Sequence, residues 1–134
     1  MDIKGLLGQN FVQTHMRSGN NYEKQGKLEE AANEFRSVIN SSPEFVEAYN
    51  KLGLVYEKQG KMDEAIAEFK KAIRLHPDNA EIRFNLGILY KNHVKAKFAK
   101  LTTQDVMAYI DLGLLYEEAI SEFKNVVKLK PNDV

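Results

Sequence analysis

Apolar residues recur every three or four positions along most of the chain, which is the spacing of one buried face of an α-helix. Two such stripes lie between the middle of the chain and its second proline. They consist of Tyr49, Leu52, Val55 and Tyr56, and of Ala65, Ile66, Phe69, Ala72 and Ile73. Gly60 between the stripes suits the left-handed backbone at a helix C-terminus, and Pro77 after them cannot continue a helix. The pattern predicts a hairpin of two short helices.

Glycine positions and a short repeated run show that this hairpin occurs more than once. Gly19, Gly53 and Gly87 are spaced by 34 residues, and the run Glu-Lys-Gln-Gly-Lys at 23–27 returns unchanged at 57–61. A fixed period of this length is typical of stacked helical repeats. Because one hairpin cannot bury both of its stripes, neighbouring hairpins must pack against each other.

Eight residues of the second unit follow each other in a known order, which is Tyr49, Leu52, Gly53, Tyr56, Ala65, Phe69, Ala72 and Pro77. In this order the unit resembles the tetratricopeptide repeat family. The resemblance implies an all-α superhelix of helical hairpins, whose first helices line a concave surface that binds a peptide or a partner protein. We expect a lead-in at residues 1–11, one unit at 12–45, a second unit at 46–79, and altered, fused units at 80–134.

The period breaks after Gly87. The next comparable glycine, Gly113, follows after 26 residues instead of 34, and Pro131 lies only 18 residues further on. The missing residues are those of the turns, since Val94 stands where a turn glycine is expected and only good helix formers surround residue 117. We therefore expect two long helices, over about 79–101 and about 104–130, in place of two hairpins.

The apolar stripes of these two long helices are the predicted oligomerisation surface. Its residues are Val94, Phe98, Leu101, Leu112, Leu115, Tyr116, Ala119 and Phe123. A straight helix cannot fold its second half onto its first, so the face that a turn would have buried needs another partner. We expect a homodimer, for which domain swapping is one route. The alternative is an antiparallel hairpin of the two helices within one chain, which would cap the stack.

The first helices supply the candidates for binding a peptide or partner protein. Extending the period to the concave face gives Asn20, Asn50, Lys51, Leu54, Phe84, Asn85 and Ile88. Asparagine can donate to and accept from a peptide backbone, and the apolar members suit peptide side chains. The alternative for Phe84 and Ile88 is that the long helices or a second subunit cover them. The family's clamp for a C-terminal carboxylate is not expected, because only Asn20 agrees with it.

Composition narrows the remaining functions. Nineteen basic residues balance nineteen acidic ones, cysteine is absent, and three histidines are scattered. No catalytic motif occurs, so we expect no enzymatic activity, no cofactor and no metal site. No segment is long and apolar enough for a membrane span, and the first ten residues do not resemble a secretory signal, so we expect no membrane association and a cytoplasmic location.

A basic run could bind nucleic acid or an acidic partner. It consists of Arg83, Lys91, Lys95, Lys97 and Lys100. Pairing with the acidic residues of the following helix explains it more simply, so nucleic-acid binding is not expected. The sequence therefore predicts a non-catalytic protein-interaction module or scaffold that associates with itself. The alternative is a purely structural oligomerisation protein without a specific peptide ligand.

Overall fold

A computed structural model of the 134-residue chain describes residues 3–99, 113, 116–122, 124 and 125. These residues include helices and turns but no strand. The helices are α1 (Ile3–Lys24), α2 (Leu28–Ser41), α3 (Val46–Lys58), α4 (Met62–Leu75) and α5 (Ala80–Ala99). Residues 116–122 are helical as well. The chain divides into two units, Met1–His76 and Pro77–Val134, which are described separately.

The first unit consists of two helical hairpins. Helix α1 packs on α2, α3 packs on α4, and α2 joins the hairpins by packing against α3. The shared core contains Val12, Met16, Ala31, Ala32, Phe35, Val38, Ala48, Leu52 and Val55. Gly53 faces the buried ring of Phe69 across the second hairpin. This confirms that a small residue at 53 lets the paired helices approach closely.

The turn within each hairpin is closed by a glycine with positive φ. The φ angles are 76° at Gly26 and 77° at Gly60. After α3, the Lys61 N–H donates to the carbonyl oxygen of Tyr56 at 2.8 Å, and the Gly60 N–H donates to that of Glu57 at 3.0 Å. This pair of bonds is the Schellman motif, which satisfies carbonyls that a helix end would leave unpaired. The turn predicted at Gly60 is confirmed.

Helix α1 is longer than the repeat pattern indicates. It begins at Ile3 and has 22 residues, whereas α3 has 13. Most of the expected lead-in at 1–11 is therefore continuous with the first helix. The added turns expose four large apolar side chains, those of Ile3, Leu6, Leu7 and Phe11.

In the second unit, α5 begins at a side-chain cap and continues through the expected turn position. The Asn79 Oδ1 atom accepts the Ile82 N–H at 3.1 Å, which satisfies a donor of the first helical turn. The buried stripe of α5 consists of Ile82, Leu86, Leu89, Tyr90 and Val94. Most of the second long helix, predicted at 104–130, and the end of the first lie outside the described residues, so the pair of fused helices stays a prediction.

The helical residues 116–122 contact α5 within the same chain. The Arg83 guanidinium donates to the Glu122 carboxylate at 3.3 Å, and the Tyr90 hydroxyl is hydrogen-bonded to Glu118. The order of the partners is reversed between the two segments, so they run antiparallel. For the described residues, this is the packing of the intramolecular alternative.

Candidate functional site

A groove of about 1050 Å³ runs along α1 in the first unit. Its α1 wall is formed by Gly5, Gly8, Gln9, Val12, Gln13, Met16, Arg17, Asn20, Asn21 and Lys24. The opposite wall comes from the α2–α3 connection and the first turn of α3, and is formed by Ser42, Glu44, Phe45 and Glu47. We call this feature the α1 groove.

The apolar part of the α1 groove is anchored in the protein core. Val12 and Met16 lie one helical turn apart on α1 and are only 8% and 7% exposed, and both belong to the core cluster. Phe45 is half-buried and packs against the same cluster from the opposite wall. Because these side chains are held by the core, the surface that they present is preformed.

Asn20 brings an unsatisfied acceptor to the α1 groove. Its side chain is half-buried, and its Oδ1 atom is fully enclosed without a hydrogen-bond partner among the described residues. A buried acceptor without a partner costs roughly 1–3 kcal/mol. A donor that reached this oxygen would remove that cost. One turn further, Glu23 pairs with Lys58 at 3.3 Å and so connects α1 with α3.

Each wall of the α1 groove carries charge of one sign. Arg17 and Lys24 are the charged residues of the α1 wall, and Glu44 and Glu47 are those of the opposite wall. All four are exposed, and none forms an ion pair with another described residue. Glu47 lies in the first turn of α3, where the helix dipole favours an acid. The four charges are therefore available to a ligand.

Of the binding residues predicted in the first unit, only Asn20 lines the α1 groove. Asn50, expected on the ligand surface, is 7% exposed, while Lys51 and Leu54 are half-buried. The burial of Asn50 follows from its place on α3, which packs against both α2 and α4 and so has little free surface. The repeat period assigns a position to a helix face, but it does not measure how far the neighbouring helices cover that face.

Sequence reasoning missed several residues of the α1 groove, which are Gly5, Gly8, Gln9, Ser42, Glu44 and Phe45. A signal for part of this set exists, because Gln9, Gln13 and Met16 continue one helix face toward the N-terminus. No signal marks Glu44 or Phe45, since their position depends on the path of the α2–α3 connection.

The second unit contains the remaining predicted binding residues. Phe84 on α5 is 48% exposed, and Asn85 and Ile88 are half-buried. Phe84 and Ile88 are one turn apart, so they share a face of α5. Phe84 is thus accessible in this chain, as a binding role requires.

The predicted oligomerisation residues differ strongly in exposure. Val94 and Ala119 are buried, whereas Tyr116 is 53% exposed. Ile120, one turn after Tyr116, is 50% exposed and was not among the predicted residues. The side chain of Phe98 and all of Leu101, Leu112, Leu115 and Phe123 lie outside the described residues.

The contact between α5 and residues 116–122 combines an ion pair with a buried phenol. Arg83 and Glu122 are each only 17% exposed in their pair. Burial raises the pKa of Tyr90 well above its ordinary value, and the carboxylates of Glu118 and Glu122 raise this pKa further. At Arg83, the structure shows the charge pairing that the sequence offered as the simpler reading of the basic run.

Two kinds of site were searched for in the described part of the chain. Residues 3–99 and the described positions after 112 contain no group of three or more His, Cys, Asp or Glu side chains that could hold a metal ion. No described helix is long and apolar enough to cross a membrane.

Solved structures with this fold include several tetratricopeptide repeat domains. An Arabidopsis OM64 TPR domain matches with a TM-score of 0.72 and 15% identity over 94% of this chain and 88% of that one. The first TPR of Spaghetti (RPAP3), bound to an HSP90 peptide, matches with a TM-score of 0.69 and 20% identity over 92% of this chain and 82% of that one.

MamA from Desulfovibrio magneticus RS-1 matches with a TM-score of 0.70 and 19% identity over 92% of this chain. This chain spans less than two thirds of the MamA structures, 56% and 59% in two of them. No curated protein matches the sequence. Two sequence profiles, both described as tetratricopeptide repeat, match residues 16–80 and 68–95. The chain belongs to the tetratricopeptide repeat family, whose members in this fold suggest a protein-interaction module.

Proposed function

We propose that this protein is a non-catalytic scaffold that binds a peptide segment of a partner protein in the α1 groove. The observation that carries the proposal is the enclosed, unsatisfied oxygen of Asn20 beside the apolar surface of Val12 and Met16. A peptide supplies a backbone N–H for the oxygen and an apolar side chain for the surface. The Spaghetti repeat, which has this fold and is bound to an HSP90 peptide, supports the proposal.

Further contacts with the partner are proposed at the other predicted binding residues, which are Asn50, Lys51, Leu54, Phe84, Asn85 and Ile88. Phe84 is the exposed member of this set and offers an apolar contact. Asn50 is buried, so its proposed role is to hold α3 in position. No cofactor, metal, membrane or nucleic acid takes part in this proposal, and its site of action is the cytoplasm.

A peptide selection tests the groove. Peptides are selected from a random library against the full chain, and their affinities are measured by calorimetry. We expect N20A to weaken the selected peptides by about three- to tenfold, which is the range of one hydrogen bond. N40A is the matched control, because Asn40 is exposed on α2 and outside the groove. Equal affinity of N20A and N40A for every selected peptide would contradict the proposal.

We also propose that the chain forms a homodimer through residues 80–130. Support comes from Tyr116 and Ile120, which leave two large apolar side chains on one face of the segment 116–122. In a domain-swapped dimer, the contact between Arg83 and Glu122 would join two chains; in an unswapped dimer it would stay within each chain. A dimer for which peptide selection fails would favour the alternative of a purely structural oligomerisation protein.

A further inference from the structure

The charge arrangement and the size of the α1 groove together define a class of ligand. We propose that the α1 groove takes an extended peptide in which acidic and basic side chains alternate around an apolar residue. The acidic side chains contact the α1 wall, and the basic ones contact the opposite wall. This inference rests on the proposed function, since it names the ligand of the same groove.

The dimensions of the α1 groove favour an extended chain over a helix. Its α1 wall runs from Gly5 to Lys24, which is about 28 Å at 1.5 Å per residue. Divided over this length, the volume of about 1050 Å³ leaves a mean cross-section of about 40 Å². An extended chain needs about 50 Å², whereas a helix of 10–12 Å diameter needs about 80–110 Å². The open side of the groove accommodates the small excess of an extended chain but not a helix.

Side-chain alternation then converts the two walls into a sequence pattern. In an extended peptide, successive side chains point to opposite sides. Residues that face Arg17 and Lys24 must be acidic, and the residues between them, which face Glu44 and Glu47, must be basic. Arg17 and Lys24 are about 10 Å apart along α1. Peptide residues four positions apart are separated by about 13 Å, so two acids at this spacing reach both cations.

The α1 wall also supplies the position for the apolar residue. Asn20 lies between Arg17 and Lys24 in the sequence, and Met16 lies one turn before it. A peptide residue between the two acids therefore comes beside Met16, while the adjacent backbone N–H reaches the Asn20 oxygen. The free charges and the free acceptor are all used by the same short segment.

Two capped peptides of identical composition test the pattern on the full chain. The alternating probe is acetyl-Gly-Glu-Lys-Leu-Lys-Glu-Gly-amide, and the block probe is acetyl-Gly-Glu-Glu-Leu-Lys-Lys-Gly-amide. In the block probe, each side carries one acid and one base, so half of the charges meet the wrong wall. We expect the alternating probe to bind about tenfold more tightly at low salt, with a smaller ratio at 0.5 M salt because exposed pairs are screened.

A reversal of one wall supplies the decisive comparison. The variant E44K/E47K has two basic walls, so it should lose the preference and bind acetyl-Gly-Glu-Glu-Leu-Glu-Glu-Gly-amide at least fivefold more tightly than the wild type does. E30K/E64K is the matched control, because it makes the same change of charge in first helical turns outside the groove. The control should bind all three probes as the wild type does.

The outcomes separate the ligand pattern from the groove itself. Equal affinity for the two isomeric probes, or a preference that survives in E44K/E47K, overturns the charge pattern. So does binding of selected peptides when neither probe binds, although the proposed function then stands. If no selected peptide depends on Asn20, the proposed function fails and the inference fails with it.

Discussion

The ring of Phe35 lies so close to Gly19 that a Cβ atom on the glycine would come within 2.5 Å of it. Phe35 is completely buried and belongs to the core that joins the two hairpins. At the equivalent site of the second hairpin, a Cβ atom on Gly53 would be 3.0 Å from the ring of Phe69. The glycines of the 34-residue period are therefore contact sites between paired helices, and the first contact is the tighter one.

We expect G19A to lower the free energy of unfolding by about 1–3 kcal/mol, because the added methyl group overpacks a ring that cannot move. G53A should have a smaller effect. Urea unfolding followed by circular dichroism measures both. G8A is the control, since nothing lies within 4 Å of its new methyl group, and it should raise stability by about 0.5–1 kcal/mol. A G19A variant as stable as G8A would show that the close approach is not required.

The turn glycines act by a different cause. Gly26 and Gly60 have positive φ angles and open space around the position of a Cβ atom. Alanine at either position meets only backbone strain, so we expect G60A to lose about 1–2 kcal/mol of stability. G60N should lose less, because asparagine tolerates the left-handed conformation. Equal losses for G60A and G60N in thermal unfolding would point to another cause.

How much the sequence predicts depends on whether a residue acts inside one repeat. Gly53 and Gly60 act within one hairpin, and their roles follow from the period alone. Asn50 shows the limit, because its burial depends on two neighbouring helices. Phe45 and Glu44 show a second limit, since no periodic signal reports how a connection folds toward α1.

The same limit applies to the second unit. Tyr116 and Ala119 lie on one apolar stripe of the sequence, yet one is exposed and the other is buried. Periodicity finds the stripe, but a stripe wider than the contact does not show which edge faces α5. The Arg83–Glu122 and Tyr90–Glu118 contacts fix that rotation.

Tyr90 predicts a dependence of stability on alkaline pH. An unfolded tyrosine has a pKa of about 10, and burial and the carboxylates of Glu118 and Glu122 raise the pKa of Tyr90 in the folded state. The folded state therefore holds this proton more tightly. The resulting stability is complete below pH about 10 and is lost as the pH rises from there toward the folded pKa.

We expect the free energy of unfolding to fall more steeply above pH 10 for the wild type than for Y90F, by up to about 1.4 kcal/mol per pH unit. Denaturant titrations at a series of pH values measure this difference. Y116F is the matched control, because Tyr116 is exposed, and its profile should follow the wild type. Parallel profiles of the wild type and Y90F would refute the predicted linkage.

The Arg83–Glu122 contact offers a test of domain swapping. The chain has no cysteine, so R83C/E122C introduces the only two thiols. The long side chains of the native pair hold their backbones too far apart for a direct disulfide, so a short bis-maleimide is used as cross-linker. We expect cross-linked monomer on a denaturing gel, because the antiparallel contact lies within one chain. R83C alone should give no cross-linked monomer, and a covalent dimer from R83C/E122C would establish the swapped form.

The exposed pair Tyr116 and Ile120 predicts how self-association is broken. We expect the wild type to have twice the 15.3 kDa mass of one chain by light scattering, and Y116E and I120E to have the mass of a monomer. A buried unpaired carboxylate is costly, so a charge on either residue disfavours an apolar interface. S121E adds the same charge at the neighbouring exposed position, and it should remain a dimer. A wild-type protein that stays monomeric across a wide concentration range would rule out the dimer, whereas dimeric Y116E and I120E would move the interface to another face.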